Sequence, residues 1–171
     1  LRPRHRRPSE APEPVFRALA TTARYVRHDR SISTLLFSAG VLGLLVLPYT
    51  SFLPRLTQEV LQGGPTELGL LLTAGGVGAV MGAALSGTRF IARRPRRAAM
   101  LLHVASACSA AALALSPTVG VAAGAAVVVG FSSTAYLSVV NATLQVSAPP
   151  GMLGRLLGFW VVVNAGSVPV G

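Results

Sequence analysis

Two sets of polar residues stand out from an otherwise apolar chain. Thr134, Ser138, Asn141 and Gln145 recur at i, i+4, i+7 and i+11, so a helix over this stretch carries them in one stripe. Asn164 is the strong hydrogen-bonding side chain of the last apolar run. None of these groups ionises near neutrality. In a hydrophobic setting they either line an aqueous cavity or tie neighbouring helices together. The second set is basic: Arg93, Arg94, Arg96 and Arg97 in "RRPRR", with Arg155 further on. Guanidinium groups beside long apolar runs suit anionic lipid headgroups, as an anchor, or a gate at the membrane face.

Catalytic constellations are missing. The acids Glu10, Glu13, Asp29, Glu59 and Glu67 lie in the tail, the loops or a helix start, so no carboxylate pair is placed inside an apolar run for acid–base work. The histidines lack metal-ligand spacing, and no serine sits in a G-x-S-x-G elbow. Cys108 is the single cysteine and lies inside an apolar run, which excludes an internal disulfide. The chain therefore reads as neither an enzyme nor a metalloprotein, and no cofactor is expected.

The elements that must position these residues follow from composition. Of 171 residues 51% are hydrophobic and 12% charged, where a soluble domain carries about 25% charged residues; mean hydropathy is +0.60. All 15 cationic residues are arginine and the net charge is +10. Nucleic acid is not the expected partner, because aromatics interleaved with the arginines are nearly absent. The lipid bilayer is.

A bilayer core about 30 Å thick needs roughly 20 apolar residues in helix. Charge-free windows predict five spans, at about 32–53, 68–90, 98–116, 119–145 and 153–171, with "SPTVG" and "SAPPG" as the breakers that divide the long run after Ala98. The fold expected is thus all-α and integral to the membrane. Arginine placement orients it: eight before the first span, Arg55 against Glu59 and Glu67 after it, five between the second and third spans, none at "SPTVG", then Arg155. By the positive-inside rule this alternation reads in, out, in, out, in, which places the N-terminal tail in the cytoplasm.

Ahead of the spans, residues 1–14 read as a disordered Pro- and Arg-rich cytoplasmic linker. Residues 15–30 read as an amphipathic helix on the cytoplasmic membrane face, with Val15, Phe16, Leu19, Thr22, Ala23 and Val26 at helical spacing. Between spans, close packing is expected where small residues repeat. The second span has two such columns, Ala74, Gly78, Gly82, Ser86 and Gly75, Ala79, Ala83, Gly87, and is expected at the centre of the bundle; Gly120 and Gly124, and Gly154 and Gly158, repeat the spacing. His103, near the start of the third span, reads as an interfacial residue rather than a proton relay, and Tyr136 as a packing residue.

The order "ARYVRHDR", "LPYTSFLPRL", "TQEVLQGGPTELGLLLTAGGVGAVMGAAL", an arginine-rich turn and "LQVSAPPGMLGRLLGFWVVVNAGSVPVG" resembles the C-terminal half of a major facilitator superfamily transporter. It is most similar to the bacterial exporter branch that includes the enterobactin exporter and related secretion permeases. Gly87 with Arg93 to Arg97 resembles the family's signature between its eighth and ninth spans, with Ile91 roughly where the family has an aspartate; Pro149, Pro150, Gly154 and Arg155 resemble its later loop. The resemblance implies a twelve-helix fold of which this chain holds about five spans. It also implies alternating access around a midplane site for a small-molecule substrate, and an N-terminal half and a last helix as partners. The other reading is a non-transporting helical scaffold or sensor whose basic tail binds lipid or a partner.

Overall fold

The computed structural model describes residues 28, 30–46, 49–88 and 93–147, and then 153, 154, 157, 158, 160 and 161. The elements among them are helices: α1 (Arg30–Leu45), α2 (Tyr49–Arg55) running into a π-helical turn (Leu56–Val60), α3 (Pro65–Ser86), α4 (Pro95–Ala114) and α5 (Val119–Ser147). Among the described residues four segments are long and apolar enough to cross a membrane: Ser33–Val60, Pro65–Ser86, Pro95–Ala114 and Val119–Ser147. The protein is an all-helical, multi-pass membrane protein. The linker expected at 1–14 lies outside the described residues, as do nearly all of the helix expected at 15–30 and most of the span expected at 153–171.

Helix is what these runs must form, because in hydrocarbon every backbone N–H needs a partner within its own segment. Their ends are set by local chemistry. At the start of α3 the Gly64 N–H donates to Glu67 Oε2 at 2.6 Å, and Pro65 takes the first helical position, where no N–H is missed. Pro95 does the same for α4. The Thr118 hydroxyl accepts the Val121 N–H at 3.4 Å where α5 begins.

The first span departs from the window read in the sequence, which closed at Pro54. Here the helix passes through Pro54 and widens into the π turn. Gln62 then adopts φ 50°, and the Gly63 N–H reaches back to the Thr57 carbonyl at 2.9 Å to end it.

Contacts fix the directions of the helices. Gly78 meets Val127 and Gly82 meets Phe131, so α3 and α5 run the same way. Ser106 pairs with Ser132 while His103 packs on Tyr136, so α4 runs opposite to α5. Ser38 and His103 both meet Tyr136, and further along Leu53 and Leu56 line one cavity with Ala110 and Leu113, so α4 runs parallel to the first span. The start of α1, the end of α3, the start of α4 and the end of α5 therefore share one membrane face.

The centre belongs to α5 rather than to the second span. Half of its apolar window is buried among the described residues, against 22% for α3 and for α4. Leu71, Gly75, Gly78 and Gly82 form the buried face of α3. That is a seven-residue repeat crossing between the two columns read in the sequence, which leaves Ala83 and Gly87 exposed.

Candidate functional site

The polar stripe of α5 is built on the face that α3 covers. Val127, Thr134 and Asn141 are spaced by seven residues and so lie on one side of the helix. At Val127 that side is in backbone contact with Gly78, and one turn later Phe131 meets Gly82. Then α3 ends, at Ser86. Beyond that point the face changes from valine and phenylalanine to polar groups. Thr134, Ser138 and Asn141 are partly buried and Gln145 is exposed.

Within the stripe, the Ser138 hydroxyl returns to the Thr134 carbonyl at 2.9 Å and is satisfied by its own helix. Asn141 and Gln145 behave differently. Gln145 Nε2 donates to Asn141 Oδ1 at 2.7 Å, which leaves the Asn141 amide N–H groups and the Gln145 carbonyl directed away from their own bond. The two form an uncharged amide pair that offers both donors and acceptors.

Arg93, Arg94, Arg96 and Arg97 are exposed around the start of α4. Local helix energetics do not explain them, since positive charge at a helix N-terminus opposes the macrodipole and no acid stands in the first turn. Counting along both helices from the Ser106–Ser132 bond brings Pro95 level with about residue 143 of α5. The arginines and the amide pair thus belong to the same membrane face. Arg155 and Asn164 lie outside the described residues.

The glycines divide into two groups. A methyl group at Gly78, Gly82 or Gly130 would collide with backbone atoms: those of Val127 and Phe131, of Phe131, and of Gly75 and Ala79, respectively. At Gly120, Gly124, Gly154 and Gly158 it would meet no described atom within 4 Å. The packing role read in the sequence is thus present at Gly78 and Gly82, while the same spacing elsewhere faces open space among the described residues.

Two further features were not read from the sequence. The first is a buried polar node. Tyr136 is 1% exposed, and its hydroxyl lies 2.5 Å from Ser38 Oγ and donates to the Leu35 carbonyl at 3.4 Å. Its ring packs on that of His103, centroids 5.3 Å apart. His103 is thus partly buried against α5, nine residues into α4, with Nδ1 buried. A tyrosine in a long apolar helix needs a hydrogen-bond partner, but the partner stands 98 residues away.

The second feature is a cavity of about 350 Å³ at the opposite membrane face, walled by Tyr49, Phe52, Leu53, Leu56 and Leu113. The Arg55–Glu59 ion pair, 2.9 Å, lies on its rim.

Among the described residues no group of three His, Cys, Asp or Glu is gathered as a metal site would need. A family model of the major facilitator type, described as a transmembrane secretion effector, matches residues 2–171. Comparisons with curated proteins and with solved structures found no match.

Proposed function

Because the chain belongs to the transmembrane secretion effector family of major facilitator transporters, we propose that it carries part of an efflux pathway for a small molecule. Family membership favours this over a non-transporting scaffold or sensor. In this reading the transporter works by alternating access, with the five spans completed by an N-terminal half and a last helix. The export direction rests on the resemblance to the exporter branch.

The observation that carries the proposal is the change of character along one face of α5. Where α3 covers it the face is valine and phenylalanine; past the end of α3 it is Thr134, Ser138, Asn141 and Gln145. Polar side chains in a membrane helix are costly against lipid and economical against water or protein. The amide pair Asn141–Gln145, with donors and acceptors to spare, is suited to hydrogen-bond an uncharged part of a substrate as it leaves the cytoplasmic side.

The exposed arginines at the same membrane face fit a cytoplasmic orientation of that face, and with it an inner-membrane location and a cytoplasmic tail. Their primary role in this reading is to anchor the loop on anionic headgroups, with gating by Arg93 to Arg97 and Arg155 as a second use.

The test is efflux from cells expressing the full-length gene product, with ethidium and other fluorescent amphiphiles as probes. Asn141→Ala and Gln145→Ala are expected to reduce efflux of a transported probe about tenfold, which corresponds to loss of one or two hydrogen bonds, with unchanged protein in the membrane. Efflux equal to the parent's in both variants would remove the amide pair from the pathway.

A further inference from the structure

The cavity at the far end of the first span stands apart from the pathway proposed above. None of its lining residues comes from α5: its walls are the first span and α4, at the membrane face opposite the arginines and the amide pair. We infer that it is a binding site for a bilayer phospholipid, with one acyl chain in the cavity and the phosphate on the terminal N–H groups of Arg55.

The space is made by the chain itself. On α4 the lining includes Ala110 and Ala114, one turn apart, whose methyl groups are too short to fill the gap to the first span. Opposite them Pro54 lies inside the helix, and the next residues widen into the π turn, where the Leu61 N–H reaches the Leu56 carbonyl five residues back at 3.0 Å. Such turns re-aim the side chains they carry and are frequent at functional sites. Here Leu56, Glu59 and Val60 of the turn all reach the cavity. Its volume of about 350 Å³ lies at the small end of ligand sites, roughly 300–1,000 Å³. It holds one slender apolar group.

Polarity changes along the cavity as a lipid requires. The first span and α4 run parallel, so Tyr49, Leu53 and Ala110 lie deeper in the membrane than Arg55 and Glu59, which stand near the end of the Ser33–Val60 span. The most enclosed lining is apolar, with Leu53 1% and Leu113 3% exposed. The rim residues Phe52 and Val60 are exposed, so among the described residues the cavity opens past apolar side chains. An acyl chain enters by that route at little cost, and a water-borne ion does not.

The ion pair holds the headgroup's partner in place. Arg55 Nε donates to both carboxylate oxygens of Glu59, at 3.0 and 2.9 Å. The terminal N–H groups of Arg55 make no other bond among the described residues, and a guanidinium fork matches phosphate. A basic side chain near the end of a span also reaches headgroup level by extending along its stem. Free phosphate is a poorer occupant, since Arg55 is the one cation of the lining and Glu59 already offsets its charge. The apolar cavity supplies what the neutralised pair does not.

This inference does not rest on the efflux reading, and its test reads binding alone. The full-length protein in detergent micelles is titrated with a phosphatidylglycerol carrying a diazirine in one acyl chain, irradiated, and the adducts mapped residue by residue by mass spectrometry. Adducts are expected at Phe52, Leu56 and Ala114, well above those at Met100 and Val104, exposed positions of α4 outside the cavity. Ala114→Leu, at an exposed position that spares the core, fills the cavity and should bring its adducts down to the Met100 level; Ala110→Leu should do the same from the deeper wall. Arg55→Gln should raise the lipid concentration for half-maximal labelling about tenfold, the loss of a charge-assisted hydrogen bond. A diacylglycerol with the same tail, which lacks the phosphate, should label as weakly as phosphatidylglycerol does in Arg55→Gln. Cavity adducts no more frequent than those at Met100 and Val104, or unchanged in Ala114→Leu, would overturn the inference. So would equal labelling by the diacylglycerol, or loss of the label on adding ethidium, which would make the cavity a site for a transported amphiphile.

Discussion

The two sides of α5 are joined to their neighbours by opposite means. Toward α3 there is no side chain between the backbones: Gly78, Gly82 and Gly130 let carbonyl and amide groups come into direct contact, and any added carbon strikes main chain. Toward α4 and α1 the joint is made of groups that rotate. Ser106 donates to Ser132 at 3.0 Å, both hydroxyls also reach their own helix carbonyls, and the Tyr136 ring bridges His103 and Ser38. A backbone seam has one arrangement, because neither partner can give way. A hydroxyl seam has several of nearly equal energy, because each oxygen has a second acceptor within its own helix. The α3–α5 joint is thus the more tightly constrained one, and the joint with α4 and the first span is the one with alternative arrangements.

The largest expected effect comes from breaking the rigid side. Gly78→Leu or Gly82→Leu places a full side chain against the backbone of α5, and should abolish accumulation of folded protein. Gly78→Ala, by overpacking, should cost about 1–3 kcal/mol, read as a fall of several degrees in the melting temperature in detergent. Next is Tyr136→Phe on the mobile side, expected to cost about 1 kcal/mol for the lost hydroxyl contacts to Ser38 and Leu35. A double-mutant cycle on Ser106→Ala and Ser132→Ala should return a coupling of only about 0.6 kcal/mol, as interhelical hydroxyl bonds in membranes generally do. At the bottom stands Gly124→Ala: with no described atom within 4 Å of the added carbon, melting should be unchanged or slightly raised. A cycle energy larger than the Gly78→Ala penalty would reverse the assignment of rigid and mobile sides.

What was legible in the sequence follows the same division. Long stretches without charge give spans by a simple length argument, so Pro65–Ser86, Pro95–Ala114 and Val119–Ser147 were visible as apolar windows. The glycines of the second span announced a close contact, but not its register. A four-residue column drifts about 40° around the helix at each step, whereas the contact follows Leu71, Gly75, Gly78 and Gly82, the seven-residue repeat that stays on one side. Small-residue spacing alone also marked Gly120 and Gly124, where no described neighbour stands, because spacing records that approach is permitted and not that a helix is there.

The polar stripe on α5 was legible as periodicity. Its opening at the end of α3 was not, since that depends on which neighbour stops where. Least accessible was the node at Tyr136. Ser38, His103 and Tyr136 come from three helices, and no local pattern links them. His103 near the arginines of its own helix looks interfacial in one dimension, and its contact with Tyr136 is visible only when α5 is laid against α4.

In the proposed efflux pathway the face of α5 beyond the end of α3 meets water rather than lipid. The most direct measurement is reaction with a membrane-impermeant thiol reagent, in the full-length protein with Cys108→Ser, of single cysteines at Ser138, Asn141 and Gln145 on that face and at Val121 and Val128, apolar exposed positions of the same helix. Fast labelling from the cytoplasmic side is expected at the three polar positions, and none at the two valines. Labelling absent at Ser138 and Asn141, or equal at all five, would contradict it.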